Sequence, residues 1–324
     1  MSATPATPAT PPIRAIVVDP DAPGRLALKE VAAPTPAPNE ALVRVAAISL
    51  NRGDVRGAMR SPAGTRPGWD LAGIVEQSAA DGSGPPERAP VVGLLSAGAW
   101  AELVAVPTHA LAELPEAVTF PQAATLPVAG LTALLALEKG GSLLGRKVLV
   151  TGASGGVGVY AVQLARLMGA YVVGSVRQPE HAAFARESGA HEVVTGDDLT
   201  PASAFGPYHL IIESVGGASL ATALTLLMPR GVCVLFGASS GADVTFQAPR
   251  FYLTGGATLY GFLIFDEVTR NPAADGLARL ARLVASGQLH PRIEVEAPWT
   301  DIADVAQRLM DRTYSGKAVL HITQ

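Results

Sequence analysis

The residues best suited to chemistry form one run, Gly152-Ala153-Ser154-Gly155-Gly156-Val157-Gly158. It follows a short apolar stretch at 148–150 and precedes a helical pattern in which Val157, Ala161, Leu164, Ala165 and Met168 share one face. Strand, glycine turn and helix in that order make an anion site. The bare Gly155 and Gly156 let backbone N–H groups approach a phosphate closely, and the positive end of the helix dipole points at it. In this context the turn reads as a dinucleotide pyrophosphate site, with Ser154, Gly155, Gly156 and Val157 as its contacts.

The next strand bears on which dinucleotide. Sites for NAD usually end this strand, about 20 residues past the glycines, with an acidic residue on the ribose 2′-hydroxyl. Here the strand ends Gly174-Ser175-Val176-Arg177. Ser175 can donate a hydrogen bond and Arg177 can pair in bidentate fashion, so the sequence predicts NADP(H). The alternative for Arg177 is a solvated loop. Glu180 remains a possible ribose ligand, although it follows Pro179 and opens a helix.

The same glycine run satisfies G-x-S-x-G, the nucleophile elbow of serine hydrolases. Gly158 has no task in an elbow, whereas it permits close helix–strand packing in a nucleotide fold. His209 begins a strand, and His290 and His321 fall outside the alternating region, so no triad partner is in place. The hydrolase reading is therefore set aside.

A second chemical stretch is LNRGDVRGAM at 50–59. Asn51 follows a strand, and its amide can donate to a substrate carbonyl or a nicotinamide ribose; the alternative is an Asx-turn with its own backbone. Arg56 can stabilise a developing enolate or quinol oxygen, or lie on the surface. Asp54 and Asp70 are expected to fix loops or pair with Arg52 or Arg56. Cys233, the only cysteine, lies in the apolar run VCVLFG, which excludes an internal disulfide and a multi-cysteine zinc site. The six histidines show no ligand spacing.

Several elements must position these groups. Runs at 13–19, 26–31, 41–48, 90–95 and 99–106, separated by Pro and Gly, read as strands of an irregular β-domain. From Lys147 strands at 171–176, 192–194, 209–214, 232–237 and 258–262 alternate with helices near 180–188 and 219–228, which implies a parallel sheet with helices on both faces. Two amphipathic helices and a strand at 317–322 close the chain. A length of 324 residues suits two domains with a cleft between them. A net charge of −4 with scattered Lys and Arg gives no field for nucleic acid. No apolar run reaches a membrane span, and the opening Pro/Thr/Ala tract lacks the features of a signal peptide, so a cytoplasmic location is expected.

NRGDV, GWDLAGIV, GAWAEL, LTAL, VTGASGGVGVYAVQLAR, VLFG and SGKAVLHI occur in an order that resembles zinc-independent medium-chain dehydrogenase/reductases of the quinone oxidoreductase, zeta-crystallin-like type. The resemblance implies an α/β fold: a GroES-like catalytic β-domain over 1–123 (1–12 a disordered tail), a Rossmann doubly wound parallel-sheet domain over 124–264, and a return to the first domain over 265–324. It implies NADPH-dependent reduction of a quinone or α,β-unsaturated carbonyl by a homodimer. It also implies that Thr132, Phe236, Gly237, Phe262, Leu263 and Lys317 contact the cofactor. Zinc-dependent relatives carry a cysteine where this chain has Asn51 and Gly-His-Glu where it has Gly68-Trp69-Asp70, so no metal is expected. Arg56 stands where such reductases often carry a tyrosine. An NADPH-binding protein with little or no turnover is the alternative. The loop 56–69 looks short, which suggests an open substrate entrance.

Overall fold

The computed structural model describes residues 11–322. Most of the tract expected to be a disordered tail, residues 1–10, lies outside the described residues.

The N-terminal third builds β1 (Ile13–Val18), β2 (Leu26–Val31), β3 (Glu40–Ser49), α1 (Arg52–Arg60), β4 (Asp70–Gln77), β5 (Pro90–Leu94), β6 (Leu103–Pro107) and β7 (Leu111–Glu113). β1 and β2 form an antiparallel pair, while β3 pairs antiparallel with both β4 and β6, and β4 with β5. Pro and Gly between these short runs stop each strand, which keeps this domain a set of small ladders. α2 (Phe120–Ala124) and a wide π-type turn at Leu126–Gly130 then lead into α3 (Leu131–Glu138).

The nucleotide-type region follows. Its elements are β8 (Lys147–Thr151), α4 (Gly156–Leu167), β9 (Tyr171–Val176), α5 (Ala182–Glu187), β10 (Glu192–Thr195), β11 (Tyr208–Glu213), α6 (Gly217–Thr225), β12 (Leu227–Leu235), α7 (Ala248–Leu253) and β13 (Thr258–Gly261). The six strands form one parallel sheet in the order β10-β9-β8-β11-β12-β13. Helices cover both faces, so Val148, Leu149 and Val150 are all fully buried, as a continuous apolar run requires. The fold is the GroES-like β-domain with a Rossmann doubly wound domain.

The last segment, α8 (Ile264–Arg270), α9 (Ala273–Ala285), β14 (Ile293–Pro298), α10 (Ile302–Asp311) and β15 (Lys317–His321), returns to the first sheet. β15 runs parallel to β14 and antiparallel to β3, with Val319 opposite Ser49 and His321 opposite Ala47. Gln163 on α4 grips this segment. Its amide donates to His290 O at 3.1 Å and its oxygen accepts from His290 N–H at 2.8 Å.

Three expectations shift. The helix α1, Arg52–Arg60, takes up residues 56–60, the first part of the stretch expected to be a short loop at 56–69. The helix expected near 219–228 ends at Thr225, because Leu227 already pairs with Tyr208 in the sheet. The strand expected at 99–106 is shortened to Leu103–Pro107.

Packing at the glycine turn is tight. A Cβ on Gly158 would stand 2.1 Å from Gly152 O and 2.8 Å from Ala153 Cα, both backbone atoms that cannot rotate away. Gly158→Ala is therefore expected to lose about 1–3 kcal/mol or more of unfolding free energy in a urea titration. By contrast, a Cβ on Gly57, inside α1, meets nothing within 4 Å. Gly57→Ala should gain roughly 0.5–1 kcal/mol in the same measurement.

Candidate active site

All strands of the nucleotide-type sheet run the same way, so their carboxyl ends share one edge. That edge collects most of the residues expected to hold the cofactor. The glycine turn leaves β8, with Gly155 N–H donating to Gly152 O at 2.9 Å. Gly155 is the N-cap of α4 and offers no side chain to its first N–H groups. A Cβ on Gly155 would meet only Gly152 O, at 3.3 Å, so the space in front of the turn is open. Val157 packs partly buried against the core, and Ser154 is half-buried.

On the neighbouring strand, Ser175 lies opposite Thr151, is 7% exposed, and accepts the Ala153 N–H through its carbonyl at 2.9 Å. Arg177 follows β9 directly and is exposed. Phe236 N–H donates to Glu213 O at 3.0 Å, and a Cβ on Gly237 would come within 3.1 Å of Ser214 O. Phe262 is buried beyond β13, while Leu263 is exposed. Thr132 is buried on α3, whose packing partner is α4. Serine hydrolysis gains nothing here: His209 is held in β11 by Gly140 O, 2.7 Å from Nε2.

Opposite the turn lies a buried polar cluster that sequence reasoning did not assemble. Gly316 N–H donates to Ser154 O at 2.9 Å, which lays the returning chain along the glycine turn. The next residue, Lys317, is 4% exposed. Its ammonium donates to Leu50 O at 3.0 Å and Asn51 Oδ1 at 2.6 Å, and lies 3.4 Å from Asp70 Oδ2. Asn51 Nδ2 donates to Asp70 Oδ2 at 2.8 Å and Asp54 Oδ2 at 3.2 Å, and Asn51 N–H donates to Asp54 Oδ1 at 2.9 Å. Asp70 Oδ1 accepts the Val128 N–H at 3.0 Å.

Two of the expected contact residues are engaged within the chain. Lys317, expected at the cofactor, spends its ammonium on the Asn51 loop, and only its stem runs past Gly156, where an added Cβ would lie 2.8 Å from Lys317 Cδ. Asn51, expected as a donor to substrate, has its amide taken by Lys317, Asp70 and Asp54. It stands as the N-cap of α1. Asp54 and Asp70 bind this cluster instead of Arg52 or Arg56. The signal available in sequence was the identity of the residues; their separation of 247 positions between Asp70 and Lys317 hid the contact.

Burial dominates the titration of both acids. It pushes the Asp54 carboxyl up to about 8, with the charge of Asp70 adding to the effect and Lys317 opposing it. Asp70 is also raised by burial, against the pull of Lys317 and three hydrogen bonds. Asp70 is the better compensated anion, so Asp54 keeps a proton at neutral pH. Tyr314 is a further residue that the sequence did not single out. Its hydroxyl is enclosed without a partner, and burial raises it.

The donor set does not suit zinc. Neither cysteine nor histidine stands at the ligand positions, and the carboxylate oxygens of Asp54 and Asp70 already meet the Lys317 ammonium and the Asn51 amide. Lys317 supplies the positive charge at this place.

Comparison with known proteins agrees with this architecture. An alcohol dehydrogenase GroES-like domain matches residues 37–116, and a zinc-binding dehydrogenase domain matches residues 156–281. A quinone oxidoreductase of Sus scrofa is 29% identical over 306 residues, covering 90% of this chain and 92% of that protein. A mycobacterial quinone oxidoreductase superposes with a TM-score of 0.85 at 26% identity, covering 96% of this chain and all of that one. A mycobacterial structure complexed with NADPH matches with the same TM-score, 0.85, identity, 26%, and coverage of this chain, 96%.

Lys317→Met leaves Asp70 buried without its cation and should cost about 3–5 kcal/mol in a denaturant titration. Adding Asp70→Asn should recover part of that loss, which a double-mutant cycle reads directly. The pH behaviour follows from Asp54. Its raised value means that the native chain holds a proton which the unfolded chain has lost above about pH 4. Stability from this group is full below that value and falls as pH rises toward about 8. Melting temperatures measured from pH 5 to pH 9 should therefore fall less steeply in Asp54→Asn than in the parent.

Proposed function

Because the chain belongs to the medium-chain dehydrogenase/reductase family, in its quinone oxidoreductase or zeta-crystallin-like branch, we propose that it is an NADPH-dependent oxidoreductase reducing a quinone or an α,β-unsaturated carbonyl without zinc. The observation that carries this reading is the open glycine turn at α4, laid against the returning chain by the Gly316–Ser154 hydrogen bond.

When bound, the nicotinamide supplies the hydride. The chain does the rest. N–H groups at Gly156 and Val157 and the dipole of α4 hold the pyrophosphate, while Ser175 and Arg177 take the ribose 2′-phosphate. Phe236, Gly237, Phe262, Leu263 and Thr132 frame the rest of the dinucleotide. Lys317 fixes the Asn51 loop against the glycine turn, so that the two lobes hold one spacing. Arg56, half-buried on α1, adds positive potential where negative charge develops on the substrate oxygen. The zinc-independent part of the proposal rests on Lys317 and on Asn51 and Trp69, which stand where zinc-dependent relatives carry cysteine and histidine.

The domain division at about residues 124 and 264 belongs to the same reading. So does a homodimer formed along β13, an edge strand that carries the exposed Leu259 and is followed by the exposed Leu263. A cytoplasmic location is part of the same proposal; no helix among the described residues is long and apolar enough to cross a membrane. A second reading, cofactor binding with little turnover, draws on the full occupation of the Asn51 amide. Steady-state NADPH oxidation with a panel of quinones and enones separates the two.

Fluorescence titration is expected to show tighter binding of NADPH than of NADH. Arg177→Ala should weaken NADPH by roughly ten- to a hundredfold, the worth of a charge-assisted hydrogen bond, and leave NADH nearly unmoved. Prolonged chelation should leave turnover intact, and a fall in turnover reversed by added zinc would overturn the metal-free assignment.

A further inference from the structure

Trp69 is unlike the other two tryptophans of the chain. Trp100 and Trp299 are fully buried, with indole N–H groups enclosed and without a partner. Trp69 is only partly buried and packs on the margin of the core. Its N–H takes no partner among the described residues and is not enclosed, so that edge of the indole is open.

The opposite edge is seated. A Cβ on Gly53, the second residue of α1, would stand 2.5 Å from Trp69 Cη2 and 2.7 Å from Trp69 Cζ3. Glycine inside a helix costs stability, and at this position only glycine lets the indole lie against α1. Phe265 on α8 meets the same ring edge to face, with centroids 5.0 Å apart and planes at 75°. Two elements thus fix the orientation of an indole that is left partly uncovered.

Both sides of this contact lead to the carboxyl edge of the nucleotide-type sheet. Phe265 comes shortly after the end of β13, which finishes on the same edge as the strand that carries the glycine turn. Ligands of open parallel sheets bind outside that edge. From the first lobe, Trp69 is joined directly to Asp70, whose Oδ2 lies 3.4 Å from the Lys317 ammonium. The stem of that lysine runs against Gly156, the first residue of α4. A single lysine side chain therefore spans from the neighbour of Trp69 to the glycine turn.

We propose that the open part of the Trp69 indole stacks on a flat conjugated ring of the substrate, so that the favoured quinone or enone is an aryl one. The inference rests on the reductase reading above and narrows its substrate class. Offset contact between two rings adds to the gain from burying their surface. A saturated ring of the same size buries as much apolar area but is puckered and has no π face. Burial alone gives the flat ring no advantage, and stacking does.

Equilibrium binding to the protein–NADP⁺ complex tests this without requiring turnover. Calorimetry compares benzylideneacetone with the analogue that carries cyclohexyl in place of phenyl, two neutral enones that differ only in the saturation of the ring. The phenyl ketone is expected to bind roughly three- to tenfold more tightly. Trp69→Phe, which keeps a flat ring, should retain most of that ratio, and Trp69→Leu should bring it to one or below, each variant being checked for folding by circular dichroism. A residue that served packing alone would weaken both ketones together and leave the ratio unchanged. In nitrogen-labelled protein, the indole N–H resonance that Trp69→Phe removes should shift on adding the phenyl ketone, while those of Trp100 and Trp299 stay. Equal or tighter binding of the cyclohexyl ketone by the parent would overturn the proposal. So would a Leu variant that keeps the ratio, or a Trp69 resonance that does not move at saturation. Turnover separates the two levels: NADPH-dependent reduction of quinones or enones without aryl preference, or without binding of the phenyl ketone, sinks only this inference. Absence of turnover across the panel sinks the reductase reading.

Discussion

The Lys317 ammonium, buried among Leu50 O, Asn51 and Asp70, is the interaction on which the rest of the site depends. An isolated charge at that depth is prohibitively expensive, so its acceptors must all be present together. The acceptors come from two points along the chain: the consecutive Leu50 and Asn51 between β3 and α1, and Asp70 at the start of β4. Lys317 itself opens β15, one residue beyond the contact between Gly316 and the glycine turn. One side chain thus ties the returning strand, the first sheet and the nucleotide turn into a single geometry.

The cluster also explains why Asn51 and the acids are arranged for position. With Asp70 compensated by Lys317 and Val128 N–H, and Asp54 kept neutral by burial, the net charge left in the interior is small. The positive charge of the site lies elsewhere, on guanidiniums nearer the surface. Internal ions therefore build the scaffold. The division is physical: a buried ion needs partners fixed by folding, whereas a half-exposed guanidinium retains enough solvent to wait for a ligand.

The glycine turn shows the other constraint, steric instead of electrostatic. Gly158 lies against Gly152 O, so α4 approaches β8 more closely than any side chain permits. That approach places the first N–H groups of α4 at the sheet edge, where the ends of β9, β12 and β13 also arrive. Ser175, Gly237 and Leu263 are distant in sequence and share that edge because parallel strands all finish on the same side.

Much of this was legible in the residues themselves. Periodic apolar runs announced the parallel sheet, and the strand–glycine–helix order announced the turn that opens α4, because both depend on local backbone geometry and on burial of neighbouring positions. Gly158 could be assigned from its place in that turn, and Ser175 and Arg177 from their place at the end of the next strand. The fate of Asn51, Asp54, Asp70 and Lys317 could not be read, since each residue type suits a loop, a surface or a ligand equally well. Local pattern fixes which backbone a segment adopts; the pairing of charges across hundreds of residues is decided only when β15 returns beside β3 and removes them from water.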